Sequence, residues 1–281
     1  MKRLLQIWLA CACALSLCGM APAPKVTLTA AQVTSAQDIE AAINQATGNG
    51  AHPGTVVLDG RMGDFVYTGD DRSINIFRSG VKLLGRSGAT IANCADGIFF
   101  DGLPADDIFI EGITFECDGS GLVSVEYPHR RVTLSGNTFT AEGNGLELSA
   151  LERWKITGNR VSGHWAIHLG AGSTDVQVTQ NQLIGFIGVY LQNVDGAKVT
   201  RNQIRADWQG ILLGAGADRN QIDANRITGV EASGIALEGD NSGNRIHGNR
   251  VACLSGAECL LVDAAQALYG TNQISGNFWL K

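Results

Sequence analysis

Apolar and polar residues alternate along the chain in short runs that recur at a nearly constant interval. One repeated unit ends in a turn residue, an asparagine, a variable residue and an apolar residue, as in Trp154-Lys-Ile-Thr-Gly-Asn159-Arg-Val161. A second unit places a small residue before an apolar-x-apolar run, as in Ala166-Ile-His-Leu169. Alternation puts every second side chain on one side of a strand, so each period predicts two clear strands and a short third one. The asparagines follow one another at spacings of 22, 22, 21, 23, 24 and 28 residues: Asn137, Asn159, Asn181, Asn202, Asn225, Asn249 and Asn277.

Three short strands in each turn of about 22 residues are the geometry of a right-handed parallel β-helix. The sequence therefore predicts an all-β solenoid of about 8–10 coils. The asparagines are expected to be buried, where their amides bond to backbone groups and stack as a ladder from coil to coil. The alternative fold is a leucine-rich repeat, which needs a further leucine upstream. Leu151 supplies that leucine once, but Ser173 occupies the same place one coil later.

Residues 35–47 predict a helix before the first regular coils. Ser35 and Asp38 form a capping box, and Ile39 and Ile43 belong to one apolar face. This helix is expected to cover the open edge of the first coil, because a solenoid needs a cap.

The helix and the segments after it resemble the pectate-lyase-like β-helix superfamily. The segments are Gly54-Thr-Val-Val-Leu58, Gly80-Val-Lys-Leu-Leu-Gly85 and Gly88-Ala-Thr-Ile91. The resemblance extends over roughly residues 33 to 279 and implies the fold rather than one activity. The combined Asn-x-Asp, Asp-Asp and Gly-His-Gly set of polygalacturonases and the Arg-x-Pro-x-x-Arg pattern of pectate lyases are both absent from the sequence.

Residues 1–23 predict a signal peptide, and residues 24–281 a single β-helix domain. Lys2 and Arg3 precede an apolar run, and Ala21 and Ala23 offer cleavage sites. The expected location is the periplasm or the exterior. Lipoprotein anchoring through Cys18 is the less favoured alternative, since a leucine precedes that cysteine where a small residue is usual.

Charge excludes some partner classes. Of 21 basic and 27 acidic residues, the predicted leader removes two bases and no acid, leaving 19 against 27. An acidic surface is a poor partner for nucleic acid and for anionic membranes, and no transmembrane segment is predicted.

Four cysteines lie outside the leader, and their even number in an exported chain favours disulfides. Cys94 and Cys117 are 23 residues apart, close to one coil, and Cys253 and Cys259 flank one short loop. Those are the two expected pairs. Free thiols and a metal site are the alternatives, although no CxxC spacing supports the metal site.

One outward surface is predicted to carry acid, imidazole and phenol groups together. An alignment of the strands of the second unit predicts that Val125 points inward and Ser124 outward. This alignment puts Glu147, His168 and Tyr190 in one outward column and Asp101, Glu126 and Gln192 in the next. Such groups on successive coils are what an acid–base site needs.

Two reactions fit this candidate site. In hydrolysis, Glu147 would be the acid and Glu126 the charged base or nucleophile, about 8 Å apart, while His168 and Tyr190 orient sugar hydroxyls. In β-elimination, His168 and Tyr190 would move the protons, and Ca²⁺ held by Asp101 and Glu126 would neutralise a uronate. No other metal or cofactor is expected.

Aromatic residues lie beside the candidate site. Trp165, Phe186 and Trp208 precede successive strands, and Trp165 and Trp208 are expected to stack on sugar rings, with Asp101 and Gln192 as further substrate contacts. The stretch from Glu126 to Arg130 is similar, at two of four positions, to the Asp-Pro-His-Asp stretch of alginate epimerases.

The sequence thus predicts an exported protein that acts on a polysaccharide, by hydrolysis or by elimination. One alternative is a carbohydrate-binding or adhesive β-helix without turnover. Another is a periplasmic maturation scaffold resembling the copper-site assembly β-helix proteins, which would call for clusters among the 3 Met and 5 His. Phe278, Trp279 and Leu280 are expected to fold over the last coil, unless a second copy covers it as a homo-oligomer.

Overall fold

The computed structural model describes residues 23–68, 72–100, 102–262 and 271–280. The chain is a right-handed parallel β-helix of about nine turns. Successive coils add strands in parallel to the same sheets, so the predicted fold is confirmed and the leucine-rich repeat is wrong. Residues 1–22, with Ala21 and Cys18, lie outside the described residues, as does Asp101.

The first sheet has eleven strands, which follow one another in chain order. Its strands are Lys25–Thr29, Gly54–Asp59, Val81–Arg86, Phe109–Glu111, Thr133–Ser135, Lys155–Thr157, Gln177–Thr179, Lys198–Thr200, Gln221–Asp223, Arg245–His247 and Gln273–Ser275.

A second sheet of sixteen strands bends into two wings. Three long strands run through both wings: Arg160–Leu169, Gln182–Leu191 and Gln203–Leu213. The first wing adds Phe65–Val66, Thr90–Cys94, Thr114–Cys117, Thr138–Ala141, Arg226–Val230, Arg250–Cys253 and Phe278–Leu280. The second wing adds Ile74–Asn75, Ile98–Phe99, Leu122–Ser124, Leu146–Leu148, Ser233–Leu237 and Glu258–Val262.

A third sheet of four short strands closes one corner of the middle coils. Its strands are His129–Arg130, Leu151–Glu152, Ser173–Thr174 and Val194–Asp195, and short 3₁₀ turns occupy Ala30–Gln32 and Gly60–Met62.

The core fills the inside of the coils, where equivalent side chains stack along the axis. Ile156 is in register with Val178, and Val178 with Val199, and all three are fully buried. Phe115 and Phe139 stack in parallel with ring centroids 5.0 Å apart. Apolar residues therefore recur at every coil because each one covers its counterpart in the next coil.

The predicted asparagine ladder is confirmed. Asn159 and Asn181 are 2% and 1% exposed, and the Asn181 Oδ1 accepts hydrogen bonds from the backbone N–H and the side-chain Nδ2 of Asn159. The same pattern links Asn181 to Asn202 and Asn202 to Asn225. The amides thus satisfy backbone groups at a turn that would otherwise be buried without partners.

A second asparagine ladder was missed from the sequence. Asn220 donates its backbone N–H to the Oδ1 of Asn244, which in turn donates to the Oδ1 of Asn272. All three precede an x-Ile pair, as in Asn220-Gln-Ile222, so the motif was present in the sequence. This second ladder lies in the last coils. It stabilises the turn that precedes the strands of the first sheet.

The N-terminal helix spans Ala36–Thr47 and begins at Ser35, whose backbone N–H donates to the Asp38 carboxylate over 3.1 Å. It ends at Gly48, which adopts a left-handed φ of 57°. Ile39 and Ile43 are buried against the first coil. The predicted capping helix is therefore confirmed. The described residues contain no helical segment with the length and apolarity that crossing a membrane requires.

Both predicted disulfides are confirmed. Cys94 and Cys117 lie on neighbouring coils with Cα atoms 4.4 Å apart, and Cys253 and Cys259 close one loop with Cα atoms 5.6 Å apart. The first bridge joins two coils, while the second pins a turn within one coil.

The last coil differs from the expectation. Phe278, Trp279 and Leu280 do not fold over it, because they form a strand paired with Arg250–Cys253. Trp279 and Ile274 continue the interior columns but are each 36% exposed. A homo-oligomer formed through this end stays a prediction.

Candidate functional site

The outward column of the second wing carries the predicted acid, imidazole and phenol. Glu147, His168 and Tyr190 are Cα partners on consecutive strands, so their side chains leave neighbouring coils about 4.8 Å apart. We call these three residues the outer column. Beyond Tyr190 the same positions are apolar, with Leu212 and then Ala236.

Glu126 does not belong beside the outer column. Ser124 is in register with Leu148 and is fully buried, while Val125 is 40% exposed, so the sequence alignment at this coil was wrong by one residue. Four residues lie between Ser124 and the next paired position, His129, where two lie between Leu148 and Leu151. These two extra residues form an exposed turn that contains Glu126.

The neighbouring His129 is an interior residue. Its ring is fully buried 4.8 Å from the ring of Phe100, and its Nδ1 accepts the backbone N–H of Ala105 over 2.9 Å. Burial holds the pKa of His129 below its usual range. The stretch compared with alginate epimerases therefore places its imidazole in the core.

Rings and amides hold the outer column in place. His168 and Tyr190 stack with centroids 5.0 Å apart, and Trp165 meets both rings edge-on at 4.9 and 5.6 Å. Asn144 donates to the Glu147 carboxylate over 3.1 Å and accepts the backbone N–H of Trp165. Glu147 is thus oriented by an amide that also fixes the strand bearing Trp165.

Burial keeps both His168 and Tyr190 neutral. The pKa of His168 is lowered chiefly by desolvation, against which the charge of Glu147 and the amide of Gln192 act more weakly. The pKa of Tyr190 is raised by desolvation and by the negative charge of Glu238. An uncharged imidazole beside a protonated phenol is a base next to an acid.

The same burial closes the imidazole to solvent. Both ring nitrogens of His168 are buried away from solvent. An outer apolar cluster of Ile187, Leu212 and Ala236 packs with Trp165 and Tyr190 next to it. A substrate would reach the His168 nitrogens only if these side chains moved.

A row of exposed parallel rings lies beside the outer column. His164 stacks on Phe186 with centroids 5.3 Å apart, and Phe186 stacks on Trp208 at 5.7 Å, with interplanar angles of 9° and 3°. Phe186 is 41% and Trp208 is 43% exposed. We call His164, Phe186 and Trp208 the aromatic ledge.

The ledge differs from the row expected from the sequence. Trp165 is in register with Ile187 and packs into the outer apolar cluster, so the structure separates it from Trp208. Trp208 reaches the ledge through a bulge between paired positions Gly185–Ala206 and Ile187–Gln209, which adds one residue to that coil. His164 was missed, although it precedes Phe186 by 22 residues, the same interval that separates Phe186 from Trp208.

Gln192, the remaining predicted substrate contact among the described residues, lies at the edge of the outer column. Gln192 is exposed just after the strand that carries Tyr190. Glu238, which sequence reasoning did not select, accepts a hydrogen bond from the Gln209 amide over 3.0 Å. Among the residues that the structure describes, no group of three His, Cys, Asp or Glu side chains is arranged to hold a metal ion.

Comparisons with known proteins agree on the fold. A family model for the right-handed β-helix region matches residues 184–278, and no curated protein matches the sequence. The solved structure of ORF18 from Geobacillus virus E2 shares 18% identity at a TM-score of 0.52. The match covers 90% of this chain, which spans 61% of the viral protein.

Two further solved structures resemble the chain. The surface protein and adhesin PfbA of Streptococcus pneumoniae has 10% identity and a TM-score of 0.50, with 91% of this chain and 98% of PfbA covered. DFA-IIIase from Arthrobacter chlorophenolicus A6 has 15% identity and a TM-score of 0.49, with 79% and 74% covered. At such identities the likenesses to ORF18 and PfbA show the shared fold alone.

Proposed function

We propose that this protein is exported and binds a polysaccharide along the aromatic ledge. The observation that carries the proposal is the pair of parallel, exposed rings of Phe186 and Trp208 on successive coils. Exposed aromatic surface of this kind normally serves a ligand, because it costs free energy when left in water. The apolar faces of sugar rings stack on such rings, and the coil repeat presents them in a line.

Two features of the chain support export. Both cysteine pairs form disulfides, and disulfides persist in oxidising compartments such as the periplasm and the cell exterior. Lys2 and Arg3 precede an apolar run, an order of residues that is typical of secretory leaders.

Binding without turnover is the version that the geometry supports best. Hydrolysis would need a second carboxylate beside Glu147. Glu126, the predicted partner, lies on an exposed turn off the outer column. The His168 nitrogens are covered in the described structure, so proton transfer there requires a rearrangement. The ledge needs no rearrangement, since its rings are already exposed.

The binding test compares variants on panels of neutral and acidic polysaccharides. Trp208→Ala should weaken binding of the polysaccharide by about 1–3 kcal/mol. The matched control is Tyr127→Ala, which removes an aromatic ring that is 37% exposed on a turn away from the ledge. Equal affinities for the Trp208 variant and the parent protein would contradict the proposal.

A second candidate is a polysaccharide lyase acting at the outer column. The neutral His168 would accept the proton next to a uronate carboxylate, and Tyr190 would protonate the leaving glycosidic oxygen as the carbon–oxygen bond breaks. The observation that favours it is the stack of His168 on Tyr190 with pKa values shifted in the directions that keep both neutral.

The lyase version is tested by following the ultraviolet absorbance of an unsaturated product, with and without EDTA. Tyr190→Phe should abolish product formation while leaving binding intact, and Glu147→Gln should abolish activity only if the reaction is a hydrolysis. Full activity in both variants on a confirmed substrate would exclude the outer column as the active site.

A further inference from the structure

Four exposed arginines lie on the first wing of the large sheet. They occupy outward columns on four of five successive coils, and none forms an ion pair within the described residues: Arg160, Arg205, Arg226 and Arg250. We call these four residues the arginine strip. Several arginines elsewhere are paired with acids, as Arg131 is with Asp107 and Arg219 with Asp195.

The strip concentrates positive charge on a chain whose net charge is −6. Within the two columns that carry the arginines, the other positions of these five coils are neutral, including Gln182, Gln203 and Thr228. The nearest acid in these columns is Glu116, four coils before Arg205 in the register. Asp207 is exposed two residues beyond Arg205 on the same strand. Positive charge therefore predominates in the two columns.

The arrangement costs stability in the free protein. Arg226 and Arg250 are direct Cα partners on adjacent strands, and like charges facing each other across a ladder destabilise a sheet. Neither arginine forms an ion pair with an acid in the described part of the chain. A ligand that brings negative charge would offset it.

A shallow groove lies between the arginines. Its walls are lined by Gln182, Ile184, Gln203, Arg205, Arg226 and Thr228. Amide and guanidinium groups thus face one depression across three coils, and Arg160 is tied to its edge by a 3.0 Å hydrogen bond to Gln182. These donors suit planar, doubly bonding anions such as carboxylates and sulfates.

We propose that the arginine strip binds an acidic polysaccharide through carboxylate or sulfate groups repeated along its chain. The donors recur at the coil spacing of about 4.8 Å along the solenoid axis, so they match a linear ligand with regularly repeated anions. The acidic balance of the rest of the chain disfavours nucleic acid. The strip is distinct from the aromatic ledge, since Arg205 and Trp208 lie three residues, or about 10 Å, apart along one strand.

The experiment measures affinity of the full oxidised chain at low salt for polygalacturonate, dextran sulfate, neutral dextran and duplex DNA. The double variant R226Q/R250Q should bind the acidic polysaccharides about tenfold more weakly. The matched control is K155Q/K198Q, which removes the same charge from exposed positions on the first sheet and should change affinity less than twofold.

The polysaccharides in the panel distinguish which anionic group the arginine strip binds. Preference for polygalacturonate assigns the strip to carboxylates, and preference for dextran sulfate assigns it to sulfates; both support the proposal. Equal losses in the two double variants would overturn it, because net charge alone would then explain binding. Tighter binding of duplex DNA than of either acidic polysaccharide, or no binding of either one, would also overturn it.

Thermal unfolding tests whether a loss of affinity in R226Q/R250Q results from a destabilised fold. R226Q/R250Q should keep or raise the midpoint at low salt, since the substitution removes like-charge repulsion. A lowered midpoint would mean that the arginines support the fold, and would count against the proposal. Trp208→Ala is assayed in parallel on the same panel, so the strip and the ledge can fail independently.

Discussion

The asparagine ladder offers the sharpest test of how this solenoid is held together. Asn181 is 1% exposed, and its side chain makes four hydrogen bonds. Its Oδ1 accepts from the backbone N–H and the Nδ2 of Asn159 at 2.9 and 3.1 Å. Its Nδ2 donates to the carbonyl of Ile156 and the Oδ1 of Asn202 at 2.9 and 3.0 Å. Asn181→Ala would remove all four.

The losses are unequal. The backbone N–H of Asn159 would be left buried without an acceptor, and the carbonyl of Ile156 would lose its side-chain donor. The Asn159 amide keeps its bond to the carbonyl of Leu134, and the Asn202 amide oxygen keeps the backbone N–H of Asn181. With about 1–3 kcal/mol for an orphaned buried group, the expected loss in the free energy of unfolding is about 2–4 kcal/mol.

Equilibrium urea unfolding, followed by fluorescence and by far-ultraviolet circular dichroism, measures this loss. The two signals must coincide, because a solenoid can unfold coil by coil. Gln182→Ala is the control, since the adjacent side chain is exposed and lies outside the ladder. Asn181→Asp should cost at least as much as Asn181→Ala, because it keeps the acceptors but loses the donors and buries a charge. A loss below about 1 kcal/mol for Asn181→Ala would refute the assigned role.

Three further outcomes are expected. Replacing both Cys94 and Cys117 by Ser should lower the free energy of unfolding by about 3 kcal/mol, measured by urea unfolding, because the bridge closes a loop of more than twenty residues. The folded pKa of His168 lies below its unfolded value, so the unfolded state binds more protons between the two. Stability should therefore be full above about pH 6.5 and fall below it, and His168→Gln should weaken that fall; an identical pH profile would contradict the burial argument. Trp165→Ala should lower the free energy of unfolding by about 2 kcal/mol yet leave polysaccharide affinity unchanged, unlike Trp208→Ala, and a loss of affinity without a loss of stability would place Trp165 in the binding surface.

Repetition made the fold predictable from the sequence. Asn159 and Asn181 fall at the same point of successive periods, and each stabilises its turn through its counterpart in the next coil. The turn within a coil and the packing between coils therefore require the same residue type at the same positions. Both requirements appear in the sequence as an asparagine that recurs about every 22 residues. The helix at Ala36–Thr47 was equally visible, because a capping box and one apolar face are local features.

The candidate site was predictable where the strand pattern marks the inward positions correctly. Glu147, His168 and Tyr190 were aligned in agreement with the ladder, because buried apolar residues flank each of them on its strand. The two extra residues after Ser124 moved Glu126 out of the column, and the bulge before Gln209 brought Trp208 next to Phe186. Such changes of register are decided by hydrogen bonds between coils, which no single stretch of sequence contains.

The burial of an outward-facing side chain was also visible only in the tertiary structure. His168 lies at an outward position of its strand, where alternation predicts contact with solvent, yet Trp165 and Tyr190 cover its ring. The sequence determined the period, the stacked core, the asparagine ladder and the disulfide spacing, because each depends on residue type at a fixed interval. The tertiary structure decided which outward side chains meet, since neighbours on that face come from different coils and their contacts depend on the register and the bulges between them.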